Sequence, residues 1–257
     1  MQAKDRKTYE RIAVIAAYLG VVIVNYLANA IPIAGRTTGE ISDRFASLFT
    51  PAGFTFSIWG LIYFGLGIYA VYQALPARKQ NGLLARITWP FLISCLANAG
   101  WILAWHHEQV SLALAIMVIL ALALLRIYLL LTGDESDSSM LWKLCVHLPF
   151  SIYLAWITVA LLANLTVVQV AHHWQDAILG RIDWTLVKLA FAIAIGALAA
   201  LRNNDFAFVL VIGWAAFGIS AGQAGSPVIA GAATLLVYLS VLLAAMSLVR
   251  NRQVRRA

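Results

Sequence analysis

The chain has 257 residues, of which 62% are hydrophobic and 11% are charged, and its mean hydropathy is +0.84. This composition excludes a soluble globular protein, because too few polar residues are present to cover a water-facing surface. The formal net charge of +7 is explained by basic residues at membrane-helix ends and by attraction to anionic lipid, so no nucleic-acid partner is expected. The lipid bilayer is the expected partner.

Crossing the hydrocarbon core of a bilayer takes about 20 apolar residues in a helix. Eight segments meet this requirement, although the break between the last two depends only on Gly222, Gly225 and Pro227. Seven spans are therefore the alternative. The predicted fold is an all-α integral membrane protein with spans near residues 12–31, 54–75, 86–105, 109–132, 143–165, 184–201, 206–224 and 228–249.

The basic residues predict the orientation of these spans, because Lys and Arg near helix ends are retained in the cytoplasm. With the N-terminus inside, only Arg36, Arg44, Arg181 and Lys188 of the 18 basic residues fall at outer ends. Lys188 lies about one turn into its helix and is expected to extend its ammonium to the interface. The prediction is a multi-pass protein of a bacterial inner membrane with both termini in the cytoplasm.

The longest predicted outer loop lies between residues 32 and 49. Thr37 and Glu40 have the spacing of a capping box, and Ile41, Phe45 and then Leu48 or Phe49 follow at helical intervals. A short amphipathic helix is therefore predicted on the outer surface. Two roles fit it: a lid over a pocket between the helices, or an interfacial helix that only seals the bundle.

Amides and flat aromatic rings recur at one depth of four predicted spans. Asn and Trp are costly to leave facing lipid, so these residues are expected to turn into the bundle. Ring faces with a few convergent hydrogen-bonding groups suit a large, flat, mostly apolar ligand. The predicted ligand-binding residues are Trp59, Tyr63, Asn98, Trp101, Trp156 and Asn164, with Asn25, Asn29 and Tyr153 as further pocket candidates.

The other tryptophans have a plainer interpretation. Tryptophan is enriched at membrane interfaces, where it anchors a helix at the level of the headgroups. This interpretation assigns interfacial positions to Trp89, Trp105, Trp142, Trp174 and Trp184.

The order and spacing of the aromatic and amide residues resemble the tryptophan-rich sensory protein family, also called the translocator protein or peripheral benzodiazepine receptor family. Its second helix carries W-x-x-x-Y and a glycine, its third N-x-x-W, and its fifth Y-L-A-W with Asn eight residues after the Trp. The resemblance covers roughly residues 10–170, with Ala97 and Pro51-Ala52-Gly53-Phe54 as departures. The matching positions are Trp59, Tyr63, Gly67, Asn98, Trp101, Tyr153, Trp156 and Asn164.

The resemblance implies a five-helix translocator-type bundle in residues 1–170. The chain departs from the family pattern in residues 171–257, where the apolar segments predict about three further transmembrane helices with a basic cytoplasmic tail. The resemblance also implies a pocket, capped by the first loop, that binds tetrapyrroles such as protoporphyrin and haem, or sterols. A receptor- or sensor-like membrane protein that requires no cofactor is the expected function. The alternatives are a small-molecule transporter, a light-dependent porphyrin-degrading enzyme and a structural membrane protein.

Catalytic and metal-binding motifs are not found in the sequence. It contains no nucleophile–base pairing, phosphate loop or zinc motif, and Cys95 and Cys145 lack metal-ligand spacing, so no catalytic or metal residue is predicted. Gly100-x-x-x-Ala104 has the small-residue spacing that favours a homodimer. The same spacing at Gly218 and Gly222 predicts close packing of the last helices against the core.

Overall fold

The computed structural model describes residues 6–31, 33–134, 139–174, 176 and 178–254, with side chains described up to residue 250. Pro32 of the first loop, and Lys4, Arg255 and Arg256 of the predicted cytoplasmic ends, lie outside the described residues. The regular structure of the described part is helical. The helices are α1 (Thr8–Ala30), α2 (Thr38–Arg44), α3 (Ile58–Ala74), α4 (Gly82–His106), α5 (Val110–Thr132), α6 (Met140–Ala171), α7 (Arg181–Asn203), α8 (Phe206–Gly222) and α9 (Pro227–Val254).

All eight predicted apolar segments are helical, and seven of the helices in the described part are long and apolar enough to cross a membrane. The eighth, α8, is equally apolar but has 17 residues. At 1.5 Å per residue it is about 25 Å long, which is at the lower limit for a spanning helix. The chain is therefore an integral membrane protein, and the choice between seven and eight spans depends on α8.

The predicted capping box before α2 is present. The Thr37 N–H donates to Glu40 Oε2 at 2.7 Å, and the Glu40 N–H donates to Thr37 Oγ1 at 3.3 Å. The bond from the Thr37 N–H holds the pKa of the Glu40 carboxyl below its ordinary value. These reciprocal bonds fix where α2 begins.

The helix ends at Arg44, earlier than the predicted helical run through Phe49. Beyond it, the Ser47 N–H donates to Thr50 Oγ1 at 3.0 Å and the Phe49 N–H donates to Ser47 Oγ at 3.2 Å. Such local side-chain bonds offer the backbone an alternative to helical bonding. The apolar periodicity was therefore a poor guide to the end of this helix.

Close packing divides the chain into two compact units. Unit 1 comprises Met1–Ile41 and Ile58–Leu154, and unit 2 comprises Ser42–Ser57 and Ala155–Ala257. In unit 1, α1 packs against α3 and α4, and α4 packs against α5; in unit 2, α7, α8 and α9 pack against one another. The proposed division into residues 1–170 and 171–257 remains a prediction.

Within unit 1, α6 begins with an irregular turn that depends on a proline. The Leu148 N–H donates to the Lys143 carbonyl, five residues earlier, in a π-helical turn. Pro149 has no N–H for the next helical bond, so the usual ladder cannot be continued there. A Cβ added to Gly65 would lie 3.3 Å from Pro149 Cβ, so α3 and α6 pack closely at this point.

The small-residue position Gly100 also packs within unit 1. A Cβ added to Gly100 would lie 3.8 Å from Ile116 Cδ1 of α5. The homodimer remains a prediction.

Within unit 2, glycines of α8 let residues 51–55, which follow the first loop, approach the helix closely. A Cβ added to Gly218 would lie 1.9 Å from Thr55 Oγ1, and one added to Gly222 would lie 2.8 Å from the Ala52 nitrogen. The Ala52 N–H donates to the Gly218 carbonyl at 2.9 Å. The close approach at Gly218 and Gly222 is therefore made by residues 51–55, and the predicted packing of the last helices against the core stays a prediction.

Candidate functional site

Three of the predicted polar residues form a hydrogen-bonded series in unit 1, which we call the amide chain: Asn25, Asn98 and Tyr153. Asn25 Nδ2 donates to Asn98 Oδ1 at 2.7 Å, and Asn98 Nδ2 donates to the Tyr153 hydroxyl oxygen at 2.7 Å. All three side chains are buried. The amide chain therefore joins α1, α4 and α6 through polar groups that would be costly to expose to lipid.

Four aromatic side chains beside the amide chain form a stacked series, the aromatic row: Tyr63, Trp59, Trp101 and Trp105. The ring centroids are 5.4 Å apart for Trp59 and Tyr63, 6.4 Å for Trp59 and Trp101, and 5.6 Å for Trp101 and Trp105. Each successive pair is inclined by less than 30°, the offset-stacked arrangement that aromatic rings favour. Trp59 also meets Tyr153 edge-on at 6.1 Å, which links the row to the amide chain.

The aromatic row is more accessible on α3 than on α4. Trp101 and Trp105 are buried, whereas Trp59 and Tyr63 are half-buried. The indole N–H of Trp105 donates to the Thr38 carbonyl at 3.2 Å, which fixes the buried end. The α3 side of the row therefore offers aromatic surface to a further flat group.

Two of the tryptophans predicted to be interfacial anchors are buried, so the prediction is wrong for them. Trp105 is 4% exposed and belongs to the aromatic row, and Trp142 is 3% exposed and packs edge-on against Tyr72. Trp89 and Trp174, at 64% and 59% exposure, fit the anchor role. For Trp105 the missed signal was its position four residues after Trp101, which places both rings on one helix face.

The remaining predicted site residues are members of neither group. Trp156 and Asn164 belong to unit 2, where both are buried. Trp156 meets the Phe56 ring edge-on at 6.1 Å, and Asn164 Nδ2 donates to the Ala160 carbonyl of its own helix at 2.9 Å. Asn29 is exposed and donates to the main chain of α1. The structure therefore does not bring Asn29 into the amide chain.

Unit 2 contains an open cavity of about 610 Å³ that the sequence did not indicate. One wall is the first-loop segment 43–53, and the others come from the ends of α6 and α8 and the first turns of α7. Gln223 Nε2 holds the loop wall by donating to the Ser47 and Thr50 carbonyls at 3.0 and 2.8 Å. We call this space the Lys188 cavity, after the cation in its wall.

Lys188 does not extend to the interface as predicted, because its side chain is 3% exposed. Its ammonium donates to Thr166 Oγ1 at 2.6 Å and to Gln169 Oε1 at 2.5 Å, and lies 6.0 Å from the centre of the Trp184 ring. Thr166 and Gln169 are three residues apart near the end of α6, so both oxygens reach the same point. These acceptors replace the water to which a snorkelling lysine would extend.

The two arrangements are suited to binding. Stacked rings and hydrogen-bonded amides provide a rigid apolar surface, whereas the cavity provides a cation beside a space that opens at its rim. Among the described residues, no cluster of His, Cys, Asp or Glu could hold a metal ion.

Comparison with known proteins identifies a family. The family model described as TSPO-like protein matches residues 11–247. The matched region continues through most of α9, and so includes the helices that follow Asn164. No curated protein and no solved structure matches the chain. Because the family model covers most of the sequence, the chain belongs to the TSPO-like protein family, whose members have an all-helical membrane fold.

Proposed function

We propose that this protein is a receptor- or sensor-like membrane protein that binds a large, flat, mostly apolar ligand. The ligand class is a tetrapyrrole, such as protoporphyrin or haem, or a sterol-like molecule. The aromatic row, held beside the amide chain in unit 1, is the observation that carries this proposal. Membership in the TSPO-like family supports the general class of membrane sensor or binding protein.

A flat ligand gains the most binding free energy where the aromatic rings of the protein are already aligned. An offset-stacked aromatic pair contributes about 0.5–1.5 kcal/mol beyond the area it buries. Trp59 and Tyr63 are half-buried, so a tetrapyrrole can add to the row without displacing the buried Trp101. A sterol would use the same surface through apolar contact alone.

The amide chain contributes to binding indirectly. Asn98 and Tyr153 are buried and hydrogen-bonded, and Tyr153 supports Trp59 edge-on. A ring held in place before binding loses little conformational entropy when the ligand arrives. In this proposal Asn98 positions the row and does not need to touch the ligand.

The proposal is tested by titrating the protein with protoporphyrin in the dark and following the shift of the porphyrin absorption band. Trp59→Leu removes the centre of the row, whereas Trp89→Leu removes an exposed tryptophan and serves as the matched control. The expected result is saturable binding that weakens at least tenfold in Trp59→Leu and is unchanged in Trp89→Leu. Equal affinity in both variants would remove the basis of the proposal.

Two further measurements on the same variants separate binding from the alternative functions. If illumination causes a loss of porphyrin absorbance, and if this loss is absent in Trp59→Leu, the result would favour the degrading enzyme. Saturable, Trp59-dependent uptake into sealed vesicles would favour transport. Saturable binding with neither effect is the result expected for a sensor.

The proposed location is a bacterial inner membrane with both termini in the cytoplasm, on the support of the biased distribution of basic residues. Fusion of a reporter to the C-terminus tests the orientation. Green fluorescent protein should fluoresce there and alkaline phosphatase should be inactive. The opposite pair of results would place the C-terminus outside the cytoplasm.

A further inference from the structure

The Lys188 cavity has a buried polar end and an exposed rim. Thr166, Gln169 and Lys188 of the polar end are buried, whereas Asp43 and Arg181 of the rim are exposed. The volume of about 610 Å³ lies within the range of about 300–1,000 Å³ typical of small-molecule sites. A ligand entering from the rim would therefore reach a buried cation.

No described carboxylate forms an ion pair with that cation. The recorded acceptors of Lys188 are the neutral oxygens of Thr166 and Gln169, and the ion pairs in the described part of the chain involve other cations. An ammonium has three N–H donors, of which these bonds use two. Lys188 lies about 10 Å from the start of α7, at a depth where a charge without a counter-charge is costly.

A second donor belongs to the Trp184 ring, whose centre lies 6.0 Å from the ammonium. The indole N–H of Trp184 is buried and has no hydrogen-bond partner among the described residues. Trp184 also lines the cavity, together with the apolar side chains of Leu48, Pro51 and Val170. The cavity therefore combines donors suited to an anion with walls suited to an apolar chain or ring.

We infer that the Lys188 cavity binds an anionic amphiphile. A carboxylate or phosphate head pairs with the Lys188 ammonium, and an apolar body lies along Trp184 and Leu48. This site goes beyond the proposed function, because it uses no residue of the aromatic row or of the amide chain. A free fatty acid and a lipid headgroup share this chemistry, and the choice of probes distinguishes them.

The first test uses the full chain in nanodiscs of phosphatidylcholine and measures binding by calorimetry. Dodecanoate, dodecyl phosphate and dodecanol have the same tail and differ in the head. Both anions should bind saturably, and dodecanol should bind at least tenfold more weakly. Tighter binding of dodecanoate would identify a fatty-acid site, and tighter binding of dodecyl phosphate a site for lipid phosphate. Equal binding of dodecanol would overturn the inference.

The second test changes the cation. Lys188→Met removes the ammonium while keeping an unbranched apolar side chain, and should weaken binding of both anions at least tenfold without affecting dodecanol. Lys143→Met alters an exposed lysine of α6 and should leave binding unchanged. Unaltered affinity for the anions in Lys188→Met would overturn the inference.

A third variant keeps the test decisive if Lys188→Met fails to fold. Gly53 lines the cavity, and an added Cβ there would meet no atom within 4 Å. Gly53→Trp should therefore fold, narrow the cavity and weaken binding of both anions at least tenfold. Gly231→Trp places the same side chain at an open, exposed position of α9 and should bind normally. Normal binding in both variants would place the anions elsewhere.

Discussion

Unit 1 and unit 2 both carry polar side chains at membrane depth, but they satisfy them differently. In unit 1, Asn25, Asn98 and Tyr153 bond to one another beside stacked rings. In unit 2, Lys188 bonds to two neutral oxygens beside a cavity. The difference separates the two surfaces that we propose for binding: a stacked aromatic face suited to a flat ligand, and an open pocket with a cation suited to an anion.

The largest expected effect concerns the packing that forms the loop wall of unit 2. Gly218→Ala introduces a Cβ only 1.9 Å from Thr55 Oγ1, so residues 51–55 and α8 must separate. We expect a loss of about 3 kcal/mol of stability, the upper part of the range for overpacked sites, measured by thermal unfolding in detergent. Calorimetry on the same variant should show weaker binding of dodecanoate.

Gly225→Ala is the matched control, because a Cβ there would meet nothing within 4 Å. Combining Gly218→Ala with Thr55→Ala removes the closest clashing atom and should restore part of the lost stability. If Gly218→Ala unfolds at the same temperature as Gly225→Ala, the loop wall is not packed against α8 as described.

The next effect concerns the amide chain of unit 1. Asn98→Leu leaves the Asn25 amide and the Tyr153 hydroxyl without their shared partner. We expect a loss of about 2 kcal/mol, because a buried polar group without its partner costs about 1–3 kcal/mol. Asn29→Leu removes an exposed amide that bonds only within its own helix and should unfold like the parent. Equal stability of the two variants would show that the amide chain does not stabilise unit 1.

A smaller effect, of opposite sign, is expected in the Lys188 cavity without added anion. Lys188→Met removes a buried charge that has no counter-charge among the described residues and should raise stability by about 1 kcal/mol, because burying such a charge is costly. Gln169→Leu keeps the charge but removes an acceptor, and should lower stability by about 1 kcal/mol. The double variant should be no less stable than Lys188→Met alone. A strong destabilisation by Lys188→Met would mean that the cation is a structural element without need of an anion.

The smallest effect is expected at the capping box of α2 in unit 1. The pKa of Glu40 is held below its ordinary value of 4.5 by the Thr37 N–H. Its stabilisation is therefore complete above the unfolded-state pKa and is lost as the pH falls through the lower folded-state pKa. Hydrogen exchange of the α2 amides should quicken across that acidic window relative to the expected chemical rate, and Glu40→Gln should abolish the pH dependence. A pH dependence that persists in Glu40→Gln would assign it to another group.

Much of the fold was predictable because the bilayer imposes one requirement on every span. A run of about 20 apolar residues must bond its own backbone, and each predicted segment is a helix. The boundaries were less predictable. The helix α6 covers Met140–Ala171 against the predicted 143–165, because helical hydrogen bonds continue past the apolar run through polar residues such as Gln169.

The candidate site was predictable only within single helices. The four-residue spacing of Trp59 and Tyr63 places their rings on one face of α3, where they stack, and the polarity of Asn98 correctly predicted its burial. The burial of Trp105 was missed because an anchor and a stacked ring require the same residue type. The partners of Lys188 lie on another helix, 22 and 19 residues earlier. Sequence periodicity carries no information about such a contact.

The most direct measurement compares two ligands on two variants in nanodiscs. Octaethylporphyrin is flat and lacks carboxylates, so it tests the aromatic row, and dodecanoate tests the Lys188 cavity. We predict that Trp59→Leu loses at least tenfold in porphyrin affinity and keeps dodecanoate binding, and that Lys188→Met shows the reverse. A variant that weakens both ligands equally, or neither, would contradict two separate binding surfaces.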